Sequence, residues 1–232
     1  MNPDYATVAK CLASHARSVM VGRLLDGRAM TAGELARAAR VLPSTASEHL
    51  ARLVAAGLVT STYQGRRRYF LLATSETAEA LEALARICPR QSTRSLAGVR
   101  EDTALSTARL CYDHLAGKVG VAILDALLSA RWLHPSDRGF AASARGTAGF
   151  CYLGIDTGSL GSRRRAFARG CMDWTERRPH LAGALGASVA TALLDQRWLE
   201  RRPQGRGLRI TPAGVAQLNE MLGVQLPDTP AQ

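Results

Sequence analysis

The strongest constraint on this chain is that its second half repeats itself. Residues 113–133 and 179–199 align without a gap and are identical at 11 of 21 positions. His114-Leu115-Ala116-Gly117 returns as His180-Leu181-Ala182-Gly183, and Arg131-Trp132-Leu133 returns as Arg197-Trp198-Leu199. Further on, Arg138-Gly139-Phe140 parallels Arg206-Gly207-Leu208, and Leu153-Gly154-Ile155 parallels Leu222-Gly223-Val224. Self-similarity of this kind marks duplicated supersecondary units that bury their apolar faces on one another. Each copy, about 109–157 and 169–225, reads as a long helix, a Trp-Leu exit, a hairpin and a short helix.

Residues 13–72 carry a different pattern. A helix over 16–25, with Val19, Met20, Leu24 and Leu25 at helical spacing, stops at Asp26-Gly27. Thr31-Ala32-Gly33-Glu34 is a capping box, in which hydroxyl and carboxylate each satisfy a free backbone donor. The helix it opens is only two turns long, and Arg40-Val41-Leu42 breaks it. Pro43 suits the first turn of a third helix because it has no amide hydrogen to lose. That helix, 43–56, buries Ala46, Leu50, Leu53 and Val54, and its other face carries Ser44, Thr45, Ser47, Glu48, His49 and Arg52. Two β-rich runs then flank Tyr63-Gln64-Gly65-Arg66, giving a hairpin whose tip holds Arg66, Arg67 and Arg68.

Charge places a polyanion at this end of the chain. The 232 residues include 30 Lys and Arg, 28 of them Arg, against 19 Asp and Glu, for a net +11. Residues 1–100 hold 14 basic and 7 acidic side chains, and between Thr31 and Phe70 the only acids are Glu34 and Glu48. A two-turn helix, a break, a hydroxyl-faced helix and a basic hairpin describe a winged helix-turn-helix. Small hydroxyl side chains at a helix start can approach base edges in the major groove. Arginines on a wing can neutralise phosphates or enter the minor groove. The competing use of such a scaffold is a protein-interaction module without specific DNA binding.

The run from Leu42 through Ser44-Thr45-Ala46-Ser47-Glu48-His49-Leu50 to Leu53, followed by Ala56-Gly57-Leu58-Val59, resembles the recognition helix and wing of ArsR/SmtB-type transcriptional repressors. The resemblance covers residues 13–88. It implies a homodimeric regulator on a palindromic operator in double-stranded DNA, released by an effector, often a metal. It further implies that helices 5–12 and 75–88 form the dimer interface. Ser44, Thr45 and Ser47 would then approach bases, His49 and Arg52 the backbone, and Gln64, Arg66, Arg67 and Arg68 the adjacent groove. Two departures stand out. Leu42 occupies a position where the family usually has a capping Ser, and the second helix lacks the cysteine pair of some metal sensors.

The expected fold is mainly α with small β-hairpins (α+β): a winged helix-turn-helix over 1–88, a linker over 89–104, and a regulatory and dimerisation domain of two repeated winged-helix-like units over 105–232. The C-terminal copies share a cysteine lead-in. Cys111-Tyr112-Asp113-His114 is matched by Cys171-Met172-Asp173, with His180 following. Cys111 and His114 are three residues apart, one face of a helix. If the copies pack about a pseudo-twofold axis, Cys171 and His180 complete a tetrahedral Cys₂His₂ set of the kind Zn²⁺ accepts, and thiolate with imidazole also suits Cu. Three readings stay open: a Zn or Cu site, a thiol switch between Cys111 and Cys171, and plain packing without any cofactor.

Other signals are weaker. Trp132 and Trp198 fall at equivalent helix exits, which favours core packing over a ligand pocket, and Arg163-Arg164-Arg165 reads as a solvated basic run. The glycine-rich stretch 154–161 has no Walker lysine, and no Gly-x-Ser-x-Gly or His-Glu-x-x-His is present, so no enzyme is expected. Mean hydropathy is −0.06, and the longest apolar run is interrupted by Asp125, so no membrane partner is expected. Five cysteines are too few for a disulfide scaffold, and with an N-terminus unlike a signal peptide they point to a cytoplasmic protein with reduced thiols.

Overall fold

The computed structural model describes residues 2–89, 95–161, 165–203 and 205–225. The chain divides into two compact units, Met1–Glu82 and Ala83–Gln232. In the first unit, α1 (Tyr5–Leu12) precedes α2 (His15–Leu24), β1 (Met30–Thr31), α3 (Ala32–Ala39), α4 (Pro43–Ala55), β2 (Val59–Gln64) and β3 (Arg67–Leu72). Helix α5 (Ser75–Ile87) follows, and the unit boundary falls within it. The strands form one antiparallel sheet in the order β1-β3-β2.

Local chemistry sets these boundaries. The Thr31 hydroxyl accepts from the Glu34 N–H while the Glu34 carboxylate accepts from the Thr31 N–H at 2.7 Å, the reciprocal capping box that the sequence predicts. Arg40 closes α3 in the left-handed region at φ 54°, so the chain turns sharply before α4. Helix α4 begins without a side-chain cap, because Leu42 stands at the N-cap and can accept nothing. Met20, Leu24, Leu35, Leu50, Leu53, Phe70 and Leu72 form the buried interior, each at most 4% exposed. Met20, Leu24 and Leu25 of the stripe predicted at α2, and Ala46, Leu50 and Leu53 of that predicted for α4, therefore face inward, with Val19 and Val54 only half-buried at their edges. This fixes which side of α4 is left to solvent.

The second unit begins with α6 (Leu96–Thr107), which the Ser95 hydroxyl caps. Of the segment expected to be linker, residues 90–94 lie outside the described residues, and from Leu96 onward the chain is helical. The first repeat runs β4 (Arg109–Cys111), β5 (His114–Ala116), α7 (Gly117–Ser129), β6 (Leu133–Ser136), β7 (Gly139–Ala142), α8 (Ala144–Tyr152). After α9 (Thr157–Gly161), the second runs β8 (Arg169–Met172), β9 (Pro179–Ala182), α10 (Gly183–Asp195), β10 (Leu199–Arg201), β11 (Leu208–Ile210), α11 (Pro212–Leu222).

One expectation needs correction. Each repeat opens with a hairpin ahead of its long helix, and Cys111 and His114 lie across that hairpin from each other, not on one helical face. The two strands pair antiparallel across the Tyr112-Asp113 reversal, and Arg109 through Cys111 and His114 through Ala116 are all buried. Tyr112 takes the positive φ of 61° that the tight reversal requires.

The repeats complete each other. The Leu208 N–H donates to the Ala108 carbonyl at 2.8 Å, and at the equivalent place the Phe140 N–H donates to the Ala168 carbonyl at 3.0 Å. Helix α7 packs on β9 and α10 packs on β5. The result is one continuous core, with Leu110, Val119, Ile123 and Leu127 from one copy against Leu181, Leu185, Val189 and Leu193 from the other. Trp132 and Trp198 are buried in it, as their repeat positions predict, and Trp132 meets Phe150 edge-on at 5.3 Å.

Glycines make the closest approaches. A Cβ at Gly146 would stand 2.0 Å from the Trp132 carbonyl oxygen, and one at Gly214 would stand 2.2 Å from that of Trp198. Gly146→Ala and Gly214→Ala should each lower the urea stability of the C-terminal unit by about 1–3 kcal/mol, whereas Gly161→Ala, with nothing within 4 Å, should not. In the N-terminal unit, Thr31→Ala should cost about 1 kcal/mol of stability at neutral pH. Hydrogen bonds from the Thr31 N–H and hydroxyl hold the Glu34 carboxyl below its ordinary 4.5. That contribution is present above pH 4.5 and lost as pH falls below it, so the wild-type advantage should narrow in acid.

Candidate functional site

The solvent face of α4 is short side chains at its start and charge toward its end. Ser44, Ser47 and Arg52 are exposed and Thr45 and His49 half-buried, while Ala46, Leu50 and Leu53 face the interior. The Ser47 hydroxyl donates back to the Pro43 carbonyl at 3.0 Å, which leaves its oxygen as an acceptor toward solvent. His49 is held from behind: its Nδ1 lies 3.3 Å from Arg17, whose guanidinium also donates to the carbonyls of Cys11 and Lys10.

The β2–β3 hairpin turns at Gly65-Arg66, with Gly65 at φ 59°. Gln64, Arg66, Arg67 and Arg68 are all exposed, but the three arginines are not equivalent. Arg68 donates twice to the Ser61 hydroxyl, at 2.9 and 3.0 Å, and its guanidinium lies over the Phe70 ring at 5.0 Å. It braces the wing, while Arg66 and Arg67 sit at the turn.

The second constellation is interior. Cys111 pairs across β4–β5 with His114, and Cys171 pairs across β8–β9 with His180. The structure brings all four together: one ligand atom from each lies within 4.8 Å of the others. The rings of His114 and His180 are 5.1 Å apart. Gly120 and Gly186, equivalent in the repeat, lie close against the hairpins: a Cβ at either would be 2.5 or 2.6 Å from the carbonyl oxygen of Leu115 or Leu181, and at 3.4 Å it would touch the Cβ of the other copy's histidine.

Each histidine has a carboxylate behind it. His114 Nδ1 is 3.1 Å from Asp113, and His180 Nδ1 is 3.2 Å from Asp173. A carboxylate hydrogen-bonded at Nδ1, as Asp113 is to His114, favours the Nδ1–H tautomer and leaves Nε2 as the atom the ring can offer. Asp173 instead lies beside His180 Nδ1 as a close charge without a well-formed hydrogen bond. Both Nε2 atoms, and His180 Nδ1 as well, are buried and lack a well-formed hydrogen bond among the described residues. The carboxylates are themselves anchored. Arg165 pairs with Asp113 through both guanidinium nitrogens. Asp173 accepts from Arg109 at 3.0 Å, from the Gly117 N–H at 2.7 Å and from the Thr175 N–H at 2.8 Å. Arg109 and Asp173 are fully buried, and Trp174 covers the Arg109 guanidinium at 4.7 Å.

The electrostatics follow from these contacts. Burial pushes Asp113 and Asp173 up, but the histidines and arginines beside them outweigh it and hold both carboxyls well below the usual range. The Cys111 thiol, opposed by burial but helped by the two imidazoles, pulls Cys171 far below an ordinary thiol. Burial lowers His180, yet Asp173 and Cys171 raise it on balance. The cluster thus favours a deprotonated sulfur next to nitrogen donors.

All four sequence-predicted ligand candidates converge, while the supports behind them were not anticipated. A signal was present: Arg109-Leu110-Cys111-Tyr112-Asp113 and Arg169-Gly170-Cys171-Met172-Asp173 share an Arg-x-Cys-x-Asp pattern. Of the basic run 163–165, Arg163 and Arg164 lie outside the described residues.

The first unit, with a hydroxyl-faced α4 across α3 and a basic β-wing, defines a winged helix-turn-helix. A helix-turn-helix domain family matches residues 12–62. The uncharacterized HTH-type transcriptional regulator YdfF of Bacillus subtilis (strain 168) is 40% identical over 226 residues, covering 97% of this chain and all of that protein. The chain belongs to the HTH-type transcriptional regulators. Among solved structures, the cadmium metal-sensor CmtR from Mycobacterium tuberculosis is 34% identical over 39% of this chain and 93% of its own, with a TM-score of 0.32. The transcriptional repressor BigR from Xylella fastidiosa is 26% identical over 37% of this chain and 87% of its own, with a TM-score of 0.34. Among the described residues, no helix is long and apolar enough to cross a membrane.

Removing one partner of a fully buried ion pair strands the other charge. Asp173→Ala should therefore destabilise the C-terminal unit by about 3–5 kcal/mol, read from its urea midpoint, with Asp125→Ala, whose pair with Arg178 is exposed, as the near-neutral control.

Proposed function

We propose that the protein is a cytoplasmic, homodimeric, sequence-specific DNA-binding repressor, with operator contacts in the N-terminal unit and effector response in the duplicated C-terminal unit. The observation that carries this reading is the division of α4. Its apolar side is consumed by the interior, and Ser44, Thr45, Ser47 and Arg52 remain for solvent beside a wing presenting Arg66 and Arg67. Short hydroxyl side chains let a helix approach base edges closely, and the wing arginines supply charge neutralisation that carries no sequence information.

Dimerisation is supported by apolar residues left outside: α1 buries none of its residues, Tyr5 is 77% exposed, and on α5 Ile87 is 79% exposed. A twofold dimer reads a dyad-related operator whose half-sites lie about one helical turn apart.

The test uses fluorescence anisotropy on an in vitro selected site and on random DNA of equal length. Arg66→Ala/Arg67→Ala should weaken both complexes alike and reduce the slope of log K against log salt by up to about 2, each lost phosphate contact removing roughly 0.9. Ser44→Ala/Thr45→Ala should instead erode discrimination between the two DNAs, by about 1–3 kcal/mol per lost base contact. Arg68→Ala should act through wing stability, since Arg68 is bonded to Ser61. A salt slope unchanged by the arginine substitutions would favour a protein-interaction module.

A further inference from the structure

We infer that the C-terminal unit holds one Zn²⁺ ion per chain, ligated by the Sγ atoms of Cys111 and Cys171 and the Nε2 atoms of His114 and His180, two ligands from each repeat. The inference is independent of the DNA reading. Four donors from two copies of a duplicated hairpin converge within 4.8 Å, and Cys111, His114 and His180 are at most 3% exposed. Two buried imidazole Nε2 atoms without well-formed hydrogen bonds are costly to leave so. A metal ion is the ligand that satisfies nitrogens and thiolates together.

The outer contacts match those of a metal site. Each histidine has a carboxylate beside Nδ1: Asp113 is hydrogen-bonded to His114 at 3.1 Å, the arrangement that orients a ligating imidazole and raises its basicity, and Asp173 lies 3.2 Å from His180 Nδ1 as a close negative charge. Those carboxylates are fixed in turn by Arg165 and Arg109.

Donor type, charge and size select the ion. A set of two sulfurs and two nitrogens, with no oxygen ligand, suits Zn²⁺ in tetrahedral geometry and does not suit Mg²⁺ or Ca²⁺. Asp113 with Arg165 and Asp173 with Arg109 are already balanced pairs, so two thiolates leave the buried centre with two negative charges. A divalent ion cancels them, whereas a monovalent one leaves a net charge in a site that excludes water. Bonds of about 2.3 Å to sulfur and 2.0 Å to nitrogen put tetrahedral ligand atoms about 3.3–3.8 Å apart. Ligand atoms that lie within 4.8 Å of one another therefore close by no more than about 1.5 Å on binding. On binding, whatever protons the two sulfurs and the two Nε2 atoms still hold pass to solvent, sulfur and nitrogen lone pairs form the Zn–S and Zn–N bonds, and no electron is transferred.

The test takes the full chain, reduced and stripped of metal, and titrates it with Zn²⁺ and with Co²⁺ as a spectroscopic stand-in. The expected results are one Zn²⁺ per chain and, with Co²⁺, the intense ligand-field absorption of four-coordinate cobalt plus a thiolate-to-cobalt charge-transfer band that Zn²⁺ displaces. Cys111→Ser/Cys171→Ser should abolish the charge-transfer band, and Cys88→Ser/Cys151→Ser should leave it unchanged. Asp113→Asn should preserve the spectrum and weaken affinity by roughly 10–100-fold, separating orientation from ligation. The inference is overturned if the wild-type chain binds neither ion, if Co²⁺ shows only the weak absorption of an octahedral oxygen site, or if the band survives loss of both cysteines. Should the double variant not fold, the wild-type cobalt spectrum and the Asp113→Asn affinity decide.

Discussion

The carboxylate of Asp173 is the contact on which the C-terminal unit depends. It belongs to the second repeat, yet it accepts hydrogen bonds from Arg109 and from the Gly117 N–H of the first, and it lies against His180 of its own copy. One buried anion thus joins a strand end, a helix start and an imidazole. The pairing tolerates complete burial because Arg109 supplies the opposite charge and backbone donors fill the remaining lone pairs. Around this tie the repeats exchange helices onto each other's hairpins, so neither copy has a complete core by itself.

This exchange explains why the repeat identities fall where they do. Gly120 and Gly186 sit where a side chain would meet the carbonyls of Leu115 and Leu181 as well as the opposite histidine. Gly117 and Gly183, at φ 81° and 88°, turn strand into helix where Cβ atoms would strike backbone. Retaining His-Leu-Ala-Gly and the Trp-Leu exits therefore retains both the folding geometry and the cysteine–histidine convergence. The site and the core are two consequences of one packing arrangement.

The N-terminal unit works on a simpler principle. Its capping box, the break at Arg40 and the missing cap at Leu42 are local, and each was readable from neighbouring residues, while the left-handed backbone of Arg40 was not. Thr31 and Glu34 find each other at three residues' separation whatever the rest of the chain does, and the period of Ala46, Leu50 and Leu53 assigns a buried face to α4 without knowledge of its neighbours. The bracing of Arg68 by Ser61 and Phe70 was less legible, because it depends on strand register.

The sequence by itself determined the winged helix-turn-helix, the duplication and the identity of the four clustered cysteines and histidines, since periodicity, caps and self-similarity are all written in near neighbours. Only the tertiary structure decided that Cys111 and His114 face each other across a hairpin, that α6 begins at Leu96, and that Asp113 and Asp173 stand behind the two imidazoles. Those outcomes depend on which surfaces of the two copies bury each other. Arg109 and Asp173 are 64 residues apart, and only the free energy of the whole packed unit brings them within 3.0 Å.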